Sequence, residues 1–366
     1  MTDDIFEKAK KDRQSYVDAV LKSDAKKRIV VAGPGTGKTF LFKEILKNKK
    51  NSLTLSFVNS LVDDLSLELY GLSEVNTLHG FARSVLSKST KKSINVFSKL
   101  SLLISEDAKI LLGKDVDFDQ LFYDMDESNK LIEFYKIRKD YYGDYYGFTD
   151  IIYAAVKYLS SHKDVIPSHE QVLVDEFQDF NKLEVALIEL LAEKNSILLA
   201  GDDDQALYEF KKASADHIRN RHSNSDFGYE HFSLPYCSRC TRVIVDAVND
   251  ILDIAIKNSS LAQRIKKDYR YFEDRDKNKT SDRNPQIIHT SVQDRQIAWY
   301  ITHEISSIAN ETKGKFSVLI ISPTRVQSVN IARRLKNNGF QKVEFIEKGN
   351  PEITLMDGLM ILLNDR

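Results

Sequence analysis

Arg28-Ile-Val-Val-Ala-Gly-Pro-Gly-Thr-Gly-Lys-Thr39, continued by Phe40 to Lys47, decides how the rest of this chain is read. Arg28 to Val31 is a short β-branched run that predicts a buried strand. The glycines of Gly33 to Gly37 allow a tight turn in which successive N–H groups face inward. Phe40, Leu41, Ile45 and Leu46 then recur at near-helical spacing. Strand, tight loop and helix in that order make an anion site, because the helix directs its positive end at the loop. Ala32 to Thr39 fits the Walker A pattern. Ala32, Gly33, Pro34, Gly35, Thr36 and Gly37 would wrap the phosphates of ATP. Lys38 would reach the β/γ-phosphates, and the Thr39 hydroxyl would bind Mg²⁺.

Two further strand ends carry matching chemistry. Gln171 to Val174 is followed by Asp175-Glu176, two carboxylates that divide two tasks. Asp175 would hold hydrated Mg²⁺, and Glu176 would orient and deprotonate the attacking water. Ile197 to Ala200 is followed by Gly201-Asp-Asp-Asp-Gln205. Open α/β sheets bind ligands at the carboxyl ends of their strands, so Gln205 falls at the same edge. Its amide exchanges hydrogen-bond partners without changing charge, which suits a sensor of the γ-phosphate or of the attacking water. Tyr208 and Phe210 offer stacking faces for the bases of a single strand, with Lys211 and Lys212 beside them for phosphates.

The composition sets bounds on this reading. The 366 residues are 42% hydrophobic and 29% charged, the profile of a soluble globular chain of two to three domains. No run of apolar residues is long enough for a membrane span. The opening stretch MTDDIFEKAKKDRQ is too charged for a signal peptide. The two cysteines exclude a disulfide scaffold and suit a reducing cytoplasm. They form the pair Cys237-Ser-Arg-Cys240, read as small residues opening a helix, since a zinc ribbon needs a second pair. The net charge of −1 announces no global basic field, although a local cleft can be basic in a neutral chain.

Along the chain, Leu53 to Val58 reads as a second strand and Ser60 to Tyr70 as a helix. From about Phe81 to Lys163 the pattern is almost wholly helical. Lys182 to Ala192 is a helix between the two strands with acidic ends. A second unit is expected to begin at 231, with His231 to Leu234 a strand and Arg239 to Lys257 a helix. Lys266 to Asn284 reads as a charged connector without apolar period. Strand, helix, strand and helix are expected at Gln286–Thr290, Ile297–Ile308, Phe316–Ile321 and Val326–Asn337, with further apolar segments at Val343–Ile346 and Ile353–Leu363. Alternating strands and helices imply a parallel sheet.

Five stretches now stand in a recognisable order: AGPGTGKT, LSFVNSLVDDL, VNTLHGFARSVL, LVDEFQDFN and AGDDDQALYEFKKA. With Gly147-Phe-Thr-Asp-Ile-Ile152 ahead of the acidic strand, they resemble the superfamily 1 DNA helicases of the UvrD/Rep type. The resemblance implies single-stranded DNA as partner, ATP and Mg²⁺ as cofactors and 3′–5′ polarity. It implies that Phe57, Asn59, His79, Tyr208, Phe210 and Lys211 contact the DNA strand. Ordinary core packing is the competing reading for Phe57 and His79. The resemblance makes Gln14 the glutamine that reads adenine, at a spacing about one helical turn longer than the family's.

The second part matches less closely. Where the family has Asn-Tyr-Arg-Ser, this chain has Pro235-Tyr-Cys-Ser-Arg239-Cys240. Aligning Tyr236 gives adenine stacking, whereas aligning Arg239 gives the arginine that meets the γ-phosphate across the cleft. Arg239 is favoured, because a cleft arginine stabilises transition-state charge while stacking can be replaced. After Phe316 to Thr324, which resembles the family's next strand, the Lys-Gly-rich DNA motif and a second catalytic arginine are missing. A further C-terminal portion or a partner protein would complete the second motor domain.

The expected fold is therefore α/β. A RecA-like P-loop ATPase domain with a parallel sheet covers 1–80 and 165–230, and a helical insertion covers 81–164. A partial second RecA-like domain covers 231–366. The expected activity is that of an ATP-dependent helicase or translocase. The rival expectation is a truncated, non-motor module that binds ATP and DNA.

Overall fold

The computed structural model describes residues 2–57, 59–125, 130–143, 145–206, 212–274, 287–312 and 316–344. The chain divides between 285 and 286 into two compact units. Each is described by itself.

The first unit is built on a six-stranded sheet. Its strands are β1 (Lys27–Ala32), β2 (Ser52–Ser56), β3 (Glu74–Thr77), β6 (Gln171–Val174), β7 (Ile197–Gly201) and β8 (Glu230–Leu234). They lie in the order β3-β2-β6-β7-β1-β8, and every pairing is parallel. The central strands β6 and β7 are buried along their whole length and β1 from Arg28 onward, as strands covered on both faces must be. Helices α1 (Thr2–Lys22), α2 (Lys38–Leu46) and α3 (Asn59–Glu68) supply part of that cover. Val17, Val20, Leu41, Phe42 and Leu46 pack with Val30, Leu173 and Leu198 in one core.

All strands being parallel, their C-terminal ends lie along one edge. The loop after β1 begins at Gly33, the acidic pair after β6 at Asp175, and the acidic run after β7 at Asp202. The strand β7 stands between β1 and β6, so its loop emerges between the phosphate loop and the acidic pair.

The described residues of 78–161, between β3 and β6, form a mostly helical stretch, as expected. Its main helices are α4 (Leu78–Thr90), α5 (Leu100–Leu112), α6 (Phe118–Asp124), α7 (Lys130–Lys139) and α8 (Phe148–Ser161). The short strands β4 (Asn95–Val96) and β5 (Tyr145–Tyr146) pair within it. Phe118, Phe122 and Tyr135 form its aromatic centre, with ring centroids 5.1 and 4.8 Å from Tyr135. The helix α8 also packs against α9 (Lys182–Lys194) beside the sheet, so the helical stretch belongs to the same compact unit.

Three expectations are corrected here. The expected boundary at 231 falls inside the first unit, because β8 pairs with β1 as the last strand of the main sheet. A half-exposed edge strand has the same alternating pattern as the opening strand of a new domain, and α1 packs on this one. The helix expected from Arg239 starts at Arg242, as α11 (Arg242–Lys257), after α10 (Asp216–Ser223). Arg239 lies in the turn before it, where the Cys240 N–H donates to Cys237 Sγ at 3.3 Å. The charged connector is packed in its first part. There β10 (Arg270–Tyr271) pairs with β9 (Tyr236–Cys237), and Tyr269 and Phe272 are buried.

The second unit contains α12 (Ile297–Glu311) and α13 (Arg325–Asn337), joined through Ile305, Ile331 and Leu335. Residues 287–290 and 316–321, expected as strands, carry no ladder among the described residues. Ile287, Ile288, Leu319 and Ile321 are exposed. β-branched residues favour an extended chain, but a strand also needs a paired neighbour. Of the segment expected at 343–346 only 343 and 344 are described, without a ladder, and the segment expected at 353–363 lies outside the described residues.

Candidate nucleotide and nucleic-acid site

The loop from Gly33 to Gly37 is shaped by bonds to its carbonyls. The Gly33 carbonyl accepts from Thr36 Oγ1 at 2.8 Å, that of Pro34 from Tyr269 Oη at 3.0 Å, and that of Gly35 from the Ser238 N–H at 2.9 Å. Carbonyls engaged on one side leave the other side of the loop for an anion. Gly35 and Gly37 have φ of +71° and +100°, a region costly for residues with a Cβ. At Gly35 a Cβ would also stand 2.5 Å from that of Arg239. Gly37 precedes α2 as its N-cap, so the positive end of that helix opens on the loop. Ala32 is the last residue of β1, and Thr39 is the second residue of α2.

Lys38 points at the acidic pair. Its Nζ donates to Glu176 Oε1 at 2.8 Å and stands 3.9 Å from Asp175 Oδ1. Burial alone would lower the Lys38 pKa, but Asp175, Glu176 and Asp202 more than offset it and hold the ammonium above its ordinary value. Burial raises Asp175 to about 6, with Lys38 opposing and Glu176 adding to the shift. Asp175 Oδ1 is buried without a hydrogen-bond partner. An orphaned carboxylate oxygen beside a phosphate loop is a donor of the hard type that Mg²⁺ takes, and Thr39, directly after Lys38 at the end of the loop, offers a second oxygen. The residues present fit that ion.

Glu176 has φ +51° and ψ 46°, a left-handed conformation unusual for a residue with a Cβ. Its second oxygen accepts from Gln178 Nε2 at 2.8 Å. Gln178 Oε1 in turn accepts from the Asp202 N–H at 3.0 Å, and Asp202 Oδ2 accepts from Gln205 Nε2 at 2.5 Å. A continuous polar chain thus runs from Lys38 through Glu176, Gln178 and Asp202 to Gln205.

Arg239 is exposed beside this loop in space, with its Cβ against Gly35. Tyr236 lies against α1, its Oη donating to Asp12 and its ring edge-on to Tyr16 at 6.1 Å. The two residues thus take different neighbours in one short loop, and the alignment choice forced by the sequence is not forced by the structure. Gln14 forms an exposed bond to Asp18 at 2.7 Å, one turn along α1. On that helix it is Arg13 that reaches the phosphate loop, with its guanidinium 3.1 Å from the Cβ position at Gly37 and 4.9 Å from the Phe272 ring centroid.

Phe57 and Asn59 follow β2, and His79 stands in the first turn of α4 just after β3. They therefore share the C-terminal edge with the phosphate loop. Phe57 is edge-on to Phe180 at 5.6 Å, and His79 to Phe148 at 5.2 Å. Both rings are half-buried and Asn59 is exposed. Tyr208, Phe210 and Lys211 lie outside the described residues.

Sequence reading missed Gln178, Tyr269 and Arg13. Gln178 stood inside a quoted motif, two residues after Glu176, and only the fold shows what it joins. Tyr269 lay in a segment whose charge density hid it.

Residues 123–226 match the family described as the UvrD/REP helicase N-terminal domain. An ATP-dependent DNA helicase, srs2, of Schizosaccharomyces pombe is 31% identical over 103 residues, 27% of this chain and 11% of its own. A probable DNA helicase II homolog of Mycoplasma genitalium is 24% identical over 282 residues, 61% of this chain and 40% of its own. DNA helicase II of Escherichia coli is 37% identical over 83 residues, 22% of this chain and 11% of its own. This chain is thus similar to the UvrD/Rep-type DNA helicases, and spans well under two thirds of the length of these relatives.

Proposed function

We propose that this chain is an ATP-hydrolysing motor component acting on single-stranded DNA, with 3′–5′ movement in keeping with the family it resembles. The observation that carries the reading is the polar chain from Lys38 to Gln205, laid across the C-terminal ends of β1, β6 and β7. It joins a phosphate cation, a general base and an amide sensor in one hydrogen-bonded unit.

Lys38, the loop glycines and Thr36 bind the phosphates, with Tyr236 and Gln14 as the residues for the adenine base. Asp175 and Thr39 are the residues for Mg²⁺, which neutralises phosphate charge when bound. Glu176 takes the proton of the attacking water, and Gln205 orients that water. Arg239 faces the developing charge on the γ-phosphate. Phe57, Asn59 and His79 continue the same edge toward the strand, with Tyr208 and Phe210 as stacking residues and Lys211 as a phosphate contact. Among the described residues no helix is long and apolar enough to cross a membrane, and the working place is the cytoplasm. A partner protein or further chain carrying the remaining DNA grip completes the motor.

Equilibrium binding of a fluorescent ATP analogue tests the nucleotide half. Lys38→Ala should weaken it by about 1.5–3 kcal/mol, the loss of a charge-assisted contact. Unchanged affinity in the folded variant contradicts the assignment of the loop.

A further inference from the structure

Asp202, Asp203 and Asp204 place three carboxylates on consecutive residues at the end of a buried strand, and the first two are only 2% and 4% exposed. Buried like charges require countercharge. It arrives from the segment between α11 and β10. The Lys267 ammonium bonds Asp203, stands 2.5 Å from Asp202 Oδ1 and 3.0 Å from Asp204 Oδ2, and is itself 6% exposed. Its three donors thus serve three carboxylates.

The other two aspartates have additional partners of their own. Arg264 Nε donates to both oxygens of Asp204 at 2.8 and 2.9 Å. Asp203 Oδ2 accepts from Arg219 Nε at 3.1 Å and from the Ile265 N–H at 2.9 Å. Burial would push Asp203 up, yet Lys267, Ile265 and Arg219 together hold it below the usual carboxylate range.

Asp202 is arranged differently. One side of its carboxylate meets Lys267 at 2.5 Å and, more distantly, the Asp204 N–H at 3.2 Å, and the other accepts from Gln205 Nε2. A carboxylate beside an ammonium is an acceptor only, so it dictates which end of a neighbouring carboxamide faces it. With Nε2 committed to Asp202, Gln205 keeps Oε1 for the proton of a water. An asparagine in place of Asp202, or displacement of its side chain, would allow the amide to turn over.

We propose that Lys267 is a positioning residue of the ATPase site: by fixing the Asp202 carboxylate it sets the orientation of the Gln205 carboxamide. The sensor is then held from the segment that follows α11, and movement of that segment reaches it through one ammonium. This rests on the nucleotide reading above.

Two variants test the link, Lys267→Met and Asp202→Asn, the second leaving Lys267 on Asp203 and Asp204. The first readout needs no nucleotide. Protein labelled with ¹⁵N-glutamine shows side-chain amide resonances, and the Gln205 pair is the one that Gln205→Ala removes. Both variants should move that pair. The second readout is steady-state hydrolysis: kcat should fall roughly tenfold or more with KM for ATP little changed, and adding Gln205→Ala to Lys267→Met should cost nothing further, as for residues that act as one unit.

An unmoved Gln205 pair in folded Lys267→Met overturns the proposal. So does a rise in KM at unchanged kcat, or losses that multiply with Gln205→Ala. If Lys267→Met does not fold, Asp202→Asn decides on the same two readouts. A wild-type chain that binds no ATP would remove the nucleotide reading instead, and the resonances, read without nucleotide, separate that failure from this one.

Discussion

Glu176 carries its carboxylate on a left-handed backbone, φ +51°, between the Lys38 ammonium and the Gln178 amide. Such a conformation costs on the order of 1–3 kcal/mol for a residue with a side chain and persists where its surroundings enforce it. Here the surroundings aim one oxygen at the Lys38 ammonium and the other at the Gln178 carboxamide. Glu176→Gln keeps the shape and removes the basicity. ATP affinity should be retained while phosphate release slows by about 10²–10⁴-fold, the usual contribution of a general base. Turnover at the wild-type rate would pass the role to another carboxylate, Asp179 first. Lys38 and Glu176 were legible in the sequence because each is tied to a strand end by a short, spaced motif. Lys267 was not, because its partners lie more than sixty residues away and its own neighbourhood reads as an undifferentiated charge run. Arg13 was passed over as well: α1 turns it to the loop, while Gln14 beside it bonds Asp18 along the helix.

At the scale of elements, α8 shows how a buried charge shapes the helical stretch. Asp150 stands in its first turn, and burial raises the carboxyl to about 6 against the pull of the Lys139 ammonium at 3.2 Å. The folded protein therefore holds this proton more tightly than the unfolded chain. The contribution of Asp150 to stability is greatest below about 4, is lost as pH rises toward about 6, and is level above that. Over that window the loss is on the order of 2–3 kcal/mol. Asp175, raised in the same direction, adds to the slope. Denaturation curves of wild type and Asp150→Asn, compared across pH 4–7, should diverge in slope by the Asp150 share. Parallel curves would contradict the burial argument. Elements with long periodic patterns, such as α9 and α11, were readable within a few residues. The β-branched runs at 287–290 and 316–321 were not, since strand formation depends on a neighbour that periodicity does not reveal.

For the whole molecule, the parallel sheet sets the function proposed here, since it delivers the loops after β1, β2, β3, β6, β7 and β8 to a single edge. That convergence was foreseeable from the alternation of strands and helices. The place where the first unit ends was not, because β8 is joined to the sheet only through β1. DNA contact at this edge is expected to include Tyr208. Tyr208→Ala should weaken binding of a single-stranded oligonucleotide by roughly 1–3 kcal/mol per lost stack, measured by fluorescence anisotropy, with basal hydrolysis nearly intact. Equal affinity in the folded variant would remove Tyr208 from the interface. The central claim, that one edge couples nucleotide to a DNA strand, is tested most directly by ATP turnover of residues 1–366 with and without single-stranded DNA. Measurable hydrolysis is expected, rising on addition of the strand and disappearing in Glu176→Gln. Turnover indifferent to DNA, or equally present in that variant, would contradict the claim.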